Sequence, residues 1–362
     1  MSESIIHSGE ITPTGVHTPS TCVGNEPDIS DFTLCNHREP KTDEEILQRI
    51  AQLRVGLSES KLHLVSPMPD VFKQHPSCST TLFSPDALLR STFTRKPSIR
   101  YVTEKDTSVS IPGLVTAVRS FSKPQSDKDL CFFVNASNQT ETAFDMQVLT
   151  WVPDSVKNIG VDWLEVPGEY LRSGMWQHGE CYLDFQGSDH PRQLTHKVKF
   201  TKPFAAPPKV VVWLSGLHSV GTKPLRLNCG HKDGIKKDGF EMFAETWSDS
   251  KLYTVKLSWV AYDSGLKGVH SSVVDTKEFR TWKEPQHYNT RYAEFPAGRF
   301  TKAPKVMVGI TRVDQPCSKD QNVWVGASNV THLGMCWNAN SWGNTVNMAI
   351  GLAYLAIEDW KS

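Results

Sequence analysis

No apolar run in the 362-residue chain approaches the about 18 residues of a membrane-spanning helix, so no membrane insertion is expected. The opening stretch, Met1 to Glu10, holds neither a basic start nor an apolar core. No secretory signal is visible there, and the expected location is the cytoplasm, or the exterior by a route that needs no such signal. Net charge is missing too: 39 Lys and Arg balance 39 Asp and Glu, so no overall field draws the chain to nucleic acid. The eight cysteines (Cys22, Cys35, Cys78, Cys131, Cys181, Cys229, Cys317 and Cys336) form no CxxC pair and no recurring spacing. They read as free thiols in a reducing compartment. Without a leader, the sequons at Asn135, Asn138 and Asn329 read as chance matches.

Catalytic signatures are equally scarce. No P-loop, GxSxG or HExxH motif occurs. Glu241 and Glu245, or Asp249, are carboxylates of the kind that serve as acid and base, but no second set or pocket loop supports them. Cys229-Gly-His231-Lys-Asp233 has metal-ligand types, yet it lies in a Gly/Lys-rich loop without further spaced ligands. No enzyme, metal or cofactor is expected.

What the chain does have is aromatic residues, 10% of the total with eleven tryptophans. Residues 1–40 are rich in Ser, Thr, Pro, Gly and acids, which predicts disorder. Thr42 and Glu45 then form a capping box, and Ile46, Ile50, Leu53 and Leu57 share one face, which predicts a short helix over 43–57. That helix either docks on the first sandwich or associates with copies of itself. Beyond about residue 75, short β-rich runs alternate with Gly, Pro, Asn and Asp clusters, the pattern of a sandwich or barrel.

Self-similarity sets the architecture. Trp151, Trp247 and Trp342 are each followed twelve residues later by an aromatic residue, Trp163, Trp259 and Tyr354. Seven residues before each stands Phe144, Phe240 or Met335, preceded by a small residue. Further back, Pro112, Pro208 and Pro304 each open an apolar strand. The unit is about 95 residues long and holds an opening strand, a Pro-led buried strand, a middle strand, and a hairpin with the tryptophan at its turn. Alternation puts Val255, Leu257 and Trp259 on the core face, and Thr254, Lys256 and Ser258 outward. Trp259, Trp163, Tyr354, Phe240 and Phe144 read as core. A sheet with one apolar face must cover it with another, so the fold class is all-β, with tandem antiparallel β-sandwich modules. The expected divisions are 1–75 (tail and helix), 76–166, 167–265 and 266–362.

These marks resemble the H-type lectin domain, the family of the snail agglutinins that recognise N-acetylgalactosamine. The resemblance covers three copies from about residue 80 to 360. It is strongest in the middle, through Gly187-Ser-Asp189-His190, Phe200, Pro207-Pro208-Lys-Val, Leu225-Arg226, Gly239-Phe240, Thr246-Trp247-Ser248, Tyr253 and Ser258-Trp259. It implies that Gly187, Asp189, Trp247, Ser248 and Tyr253 form a sugar site, completed by Arg226 from a neighbouring protomer. The family often has histidine where this chain has Ser248, and the disulfide of its secreted members has no counterpart.

Such a set suits a galactose-type ring, whose axial 4-hydroxyl leaves one face of C–H groups for an aromatic plane. Asp189 and Arg226 would serve the edge hydroxyls through charge-assisted bonds, worth about 1.5–3 kcal/mol each, and Gly187 would bring its N–H close. Each residue also has a plain role: a cross-strand aromatic pair, a turn-former at Asp189, a surface ion pair at Arg226. In the first repeat Val152 and Lys157 stand for Ser248 and Tyr253, and Cys131 or Phe132 for Arg226. In the third, Gly343 and Met348 do so, with Trp324 near the arginine position. Both outer repeats therefore read as scaffold, with Trp342 and Trp324 a lesser candidate for some other ligand. The complete set in the middle repeat alone implies that middle repeats of different chains meet, hence a homotrimer. The partners implied are glycans ending in N-acetylgalactosamine or galactose. A sugar-blind structural or protein-interaction array is the alternative.

Overall fold

The computed structural model describes residues 77–83, 98–100 and 113–358, apart from 138, 140–142, 153, 167 and 187–190. The predicted tail and the 43–57 helix lie outside the described residues. The described chain is almost wholly antiparallel strand. A first group holds β1 (Ser77–Phe83), β2 (Ser98–Arg100), β3 (Gly113–Lys123), β4 (Leu130–Ser137), β5 (Ala143–Leu149) and β6 (Asn158–Val166). After a short helix, α1 (Gly168–Ser173), come β7 (Trp176–Asp184), β8 (Gln193–Lys199), β9 (Lys209–Ser219), β10 (Leu225–His231), β11 (Gly239–Glu245) and β12 (Leu252–Tyr262). The third group is β13 (Val269–Asp275), β14 (Thr290–Glu294), β15 (Lys305–Gln315), β16 (Gln321–Ser328), β17 (Gly334–Asn340) and β18 (Ala349–Ile357).

Three six-stranded sheets result, ordered β1-β6-β3-β16-β17-β14, β2-β5-β4-β9-β12-β7 and β13-β18-β15-β10-β11-β8. Each group of six strands gives three to one sheet and three to another. Every sheet therefore crosses a joint between groups: β4 pairs with β9, β10 with β15, and β16 with β3. The first group joins the second, the second the third, and the third the first. The ring closes within one chain.

This closure corrects two expectations. The tryptophan turn is not a hairpin, because β11 and β12 belong to different sheets and the Trp247 segment arches between them. Nor does β12 have a solvated face: Val255, Leu257 and Trp259 are buried as expected, but Lys256 and Ser258 are buried too. The far face of β12 packs toward the centre of the ring. Val260 and Tyr262 join Val115, Leu164, Met307 and Leu355 in a second core shared by all three groups, and Ser258 Oγ donates to the Thr116 carbonyl of the first group.

At the centre the groups are deliberately unequal. Ala117, Trp213 and Gly309 occupy matching places on β3, β9 and β15. The fully buried indole of Trp213 fills the space that the other two leave, and its Nε1 donates to the Ala353 carbonyl at 3.0 Å. A Cβ on Gly309 would run into the Trp213 ring and lie 2.7 Å from the Ala117 Cβ. Three copies of the middle group could not close about this axis, since three tryptophans would claim the room of one. The neighbour that a homotrimer was expected to supply comes from the same chain.

Inside the sandwiches, Trp259, Trp163, Tyr354, Phe240 and Phe144 are all buried in the main core, as the spacing predicts. Edge-to-face contacts tie Phe144 to Trp163 at 5.0 Å and Phe240 to Trp259 at 5.4 Å. Among the described residues, Cys131, Cys181, Cys229, Cys317 and Cys336 are free thiols. Burial pushes Cys229 up to about 12 and Cys131 up to about 11, so both stay protonated and inert. No helix of the described residues is long and apolar enough to cross a membrane.

Candidate functional site

Direct partners across a ladder share one face of a sheet. On the sheet that joins the second and third groups, one transverse row reads Asp275, Gly351, Arg312, Asn228, Glu245 and Gln193, from β13 across to β8. The row is bonded in two stretches, one on each side of the joint between Arg312 and Asn228. Asn228 Nδ2 donates to Glu245 Oε1 at 2.7 Å, and Gln193 Nε2 donates to Glu245 Oε2 at 3.0 Å. Arg312 Nε pairs with Asp275 Oδ2 at 2.5 Å, spanning the intervening Gly351. A Cβ on Gly351 would sit 3.0 Å from the Arg312 Cβ and 3.2 Å from Asp275 Oδ2, so a bare position is what lets this pair form.

Trp247, two residues beyond Glu245, is half-buried, and its ring lies 5.6 Å from the Arg312 guanidinium carbon. That cation belongs to the third group. A cation on an aromatic face in a partly desolvated place contributes about 0.5–2 kcal/mol. Ser248 and Asp249 form the exposed tip of the turn, closed by the Ser250 N–H donating to the Trp247 carbonyl at 3.3 Å. Ser248 adopts φ 57°, and its counterpart Gly343 after Trp342 adopts φ 65°. The turn requires a left-handed residue there, which glycine takes freely and serine at some cost.

Arg226 sits beside this turn. Its backbone N–H donates to Ser250 Oγ at 3.2 Å, its Nη1 to Asp249 Oδ1 at 2.5 Å, and its Nε faces Asp314 Oδ1 of β15 at 3.4 Å. The hydrogen bond from Arg226 holds Asp249 below the ordinary carboxylate range. Asp314 moves the other way, because burial raises it more than the same guanidinium lowers it. One cation thus anchors an exposed acid and a buried one.

The predicted site residues are therefore only partly brought together. Trp247, Ser248 and Arg226 share one patch. Tyr253 is the second residue of β12, on another sheet, where its ring meets His218 at 4.5 Å. Gly187 and Asp189 lie outside the described residues. The patch also contains Arg312, Asn228, Glu245 and Asp275, which sequence reasoning passed over. Register further corrects the outer counterparts of Arg226. The residue facing β9 in its place is Cys131, and the one facing β3 is Asn322, while Trp324 matches Asn228.

Glu241 is drawn below its usual range by its hydrogen bond from Lys232, and Cys229 is buried away from solvent. Among the described residues no group of His, Cys, Asp and Glu is placed to hold a metal ion.

Residues 195–262 and 290–357 match the family model of the H-type lectin domain. These segments run from β8 to the end of β12 and from β14 to the end of β18, so two of the three strand groups carry the match. No curated protein matches the chain. Two solved structures of discoidin II from Dictyostelium discoideum, the native recombinant and the wild-type protein, are 11% and 12% identical to it. Each aligns over 78% of this chain, and over 95% and 94% of its own, with a TM-score of 0.22, a likeness too slight to carry an argument.

Proposed function

We propose that the chain is a carbohydrate-binding lectin that takes a galactose-type sugar, N-acetylgalactosamine first, at the Trp247 patch. The observation that carries this reading is a half-buried indole at a sheet joint, edged by acceptors and donors that are already oriented by one another. Trp247 offers a plane for the C–H face of the ring. The Glu245 carboxylate, Asn228 amide and Arg312 guanidinium offer both signs of hydrogen bond to hydroxyls at its rim. Gly187 and Asp189 would complete the site from the loop between β7 and β8, with Ser248 beside the indole and Arg226 holding the turn. Tyr253 would act at the margin, since its ring is committed to His218.

The site needs no second chain, because its foreign guanidinium arrives on β15. Affinity at a single patch of this kind is weak, for each hydroxyl gives up water on binding, and association of whole rings would supply multivalency. Sedimentation at micromolar concentration tests that: a 40.6 kDa species that still binds multivalent glycans with avidity would refute it. No catalysis is proposed. The direct test of the sugar is retention on immobilised N-acetylgalactosamine, with release by galactose and not by glucose. Passage through the column, with a nitrophenyl galactoside neither bound nor turned over, would favour the sugar-blind array.

A further inference from the structure

The joint between the first and second groups is built on the same frame as the Trp247 patch, but with different chemistry. Its transverse row reads Leu149, Phe133, Gly216, Lys256 and Tyr182. Gly216 is bare because the Phe133 ring lies against it, where a Cβ would collide. Trp151 stacks on Phe133 at 5.1 Å with only 12° between planes, and Tyr182 meets Phe133 from the other strand at 6.1 Å and 24°. The result is a tier of near-parallel rings in which Phe133 is buried, while Trp151 and Tyr182 remain 53% and 55% exposed.

Each of these rings packs one face inward and leaves the rest to solvent, and soluble proteins seldom group exposed aromatic faces without use. Their surroundings are fixed rather than loose. Lys256 is 1% exposed, and its Nζ donates to the Val134 carbonyl at 2.7 Å and Asn135 Oδ1 at 2.9 Å while pairing with Glu180 at 2.9 Å. The same ammonium lies 5.4 Å from the Tyr182 ring centre. On the opposite side His218 meets Trp151 edge-on at 5.3 Å, held by Asp129 at 3.3 Å. The platform is thus pinned from below and rimmed by Glu180, Asp129 and His218, groups able to bond hydroxyls.

We propose that this joint is a second carbohydrate-binding patch, which takes a hexopyranose by stacking its C–H face on Trp151 and Tyr182. No guanidinium stands in the row to read an axial hydroxyl, as Arg312 would in the other patch. The preferred ligand is therefore a chain of sugars with equatorial hydroxyls, which are flat on both faces. The two patches use different residues, so the failure of one reading leaves the other standing.

The test uses the whole chain labelled with 5-fluorotryptophan, with the Trp151 and Trp247 fluorine signals assigned by single Trp→Phe replacements. Cellotriose and N-acetylgalactosamine are titrated separately. The inference predicts a saturable shift of the Trp151 signal with cellotriose and none of the Trp247 signal. Tyr182→Ala should weaken that response about tenfold, the value of one stacked ring, and Trp247→Ala should leave it intact. Both replaced side chains are largely exposed or peripheral, so the fold survives them. A Trp151 signal that no sugar moves overturns the second patch. A Trp151 signal that follows N-acetylgalactosamine alone overturns the stated ligand class.

Discussion

Replacing Trp213 with alanine should damage all three strand groups at once, although the residue belongs to one of them. The indole is fully buried in the shared central core, facing Ala117 and the bare Gly309. Neither neighbour can swell into the space it leaves. Trp→Ala in a core costs about 3–5 kcal/mol, and the rigid surroundings place this site in the upper half of that range. The bond from Nε1 to the Ala353 carbonyl, 3.0 Å long, is lost as well and contributes about 1 kcal/mol. For a domain of this size 1 kcal/mol moves the melting midpoint by about 2–4 °C, so the transition should fall by about 10–20 °C. Differential scanning calorimetry reads both the shift and the number of transitions. A single cooperative peak displaced as a whole is expected. A shift worth under about 1 kcal/mol, or separate melting in which one group alone weakens, would refute the closed ring.

Other consequences are as specific. Gly351→Ala forces a Cβ between Arg312 and Asp275 and should weaken sugar binding by about 1 kcal/mol, with little change in melting. Isothermal titration beside a melting curve checks it, and unchanged affinity counts against the row. Lys256→Met, which keeps the volume but leaves the buried Val134 carbonyl without its donor, should cost about 1–3 kcal/mol, and Lys256→Ala should cost about 2 kcal/mol more through the cavity. Equal losses in urea titrations would show that the charge itself matters. Burial lowers His270 to about 4, with the Arg299 and Lys209 charges adding to the effect, and burial lowers His178 too. Both bind a proton in the unfolded chain before the folded one. The stabilisation from His270 is complete above pH of about 6.5 and is lost as pH falls toward 4, and His178 acts in the same direction. The urea midpoint should drop between pH 7 and 5, and His270→Asn should flatten that slope; a level wild-type profile would contradict this.

How far the sequence reveals this arrangement depends on the distance over which each residue acts. The alternation in Val255, Leu257 and Trp259 reports one sandwich, and the fixed spacing from Trp247 to Trp259 reports the unit, because both reflect contacts inside a single group. Contacts between groups leave no periodic trace. Arg312 reaches Trp247 from sixty-five residues away through a sheet register, and no spacing rule connects them. Lys256 looked solvated because alternation describes a lone sandwich and knows nothing of a ring that covers the other face. One signal was present nonetheless. Ala117, Trp213 and Gly309 fall at equal spacings of 96 residues, a large side chain against two small ones, and such compensation marks positions that meet at an axis. Trp324 stands near the arginine position but two residues past it: a shift of two residues keeps a side chain on the same face, so pattern alone does not separate Asn322 from Trp324.

Calorimetric titration of N-acetylgalactosamine into the wild-type chain and into Trp247→Ala puts the proposed sugar and its proposed seat into one measurement. Saturable heat at one site per chain is predicted for the wild type, and none for the variant, with each protein still melting in one cooperative transition. Binding that survives the loss of the Trp247 indole, or a wild-type chain that takes up no such sugar, would contradict it.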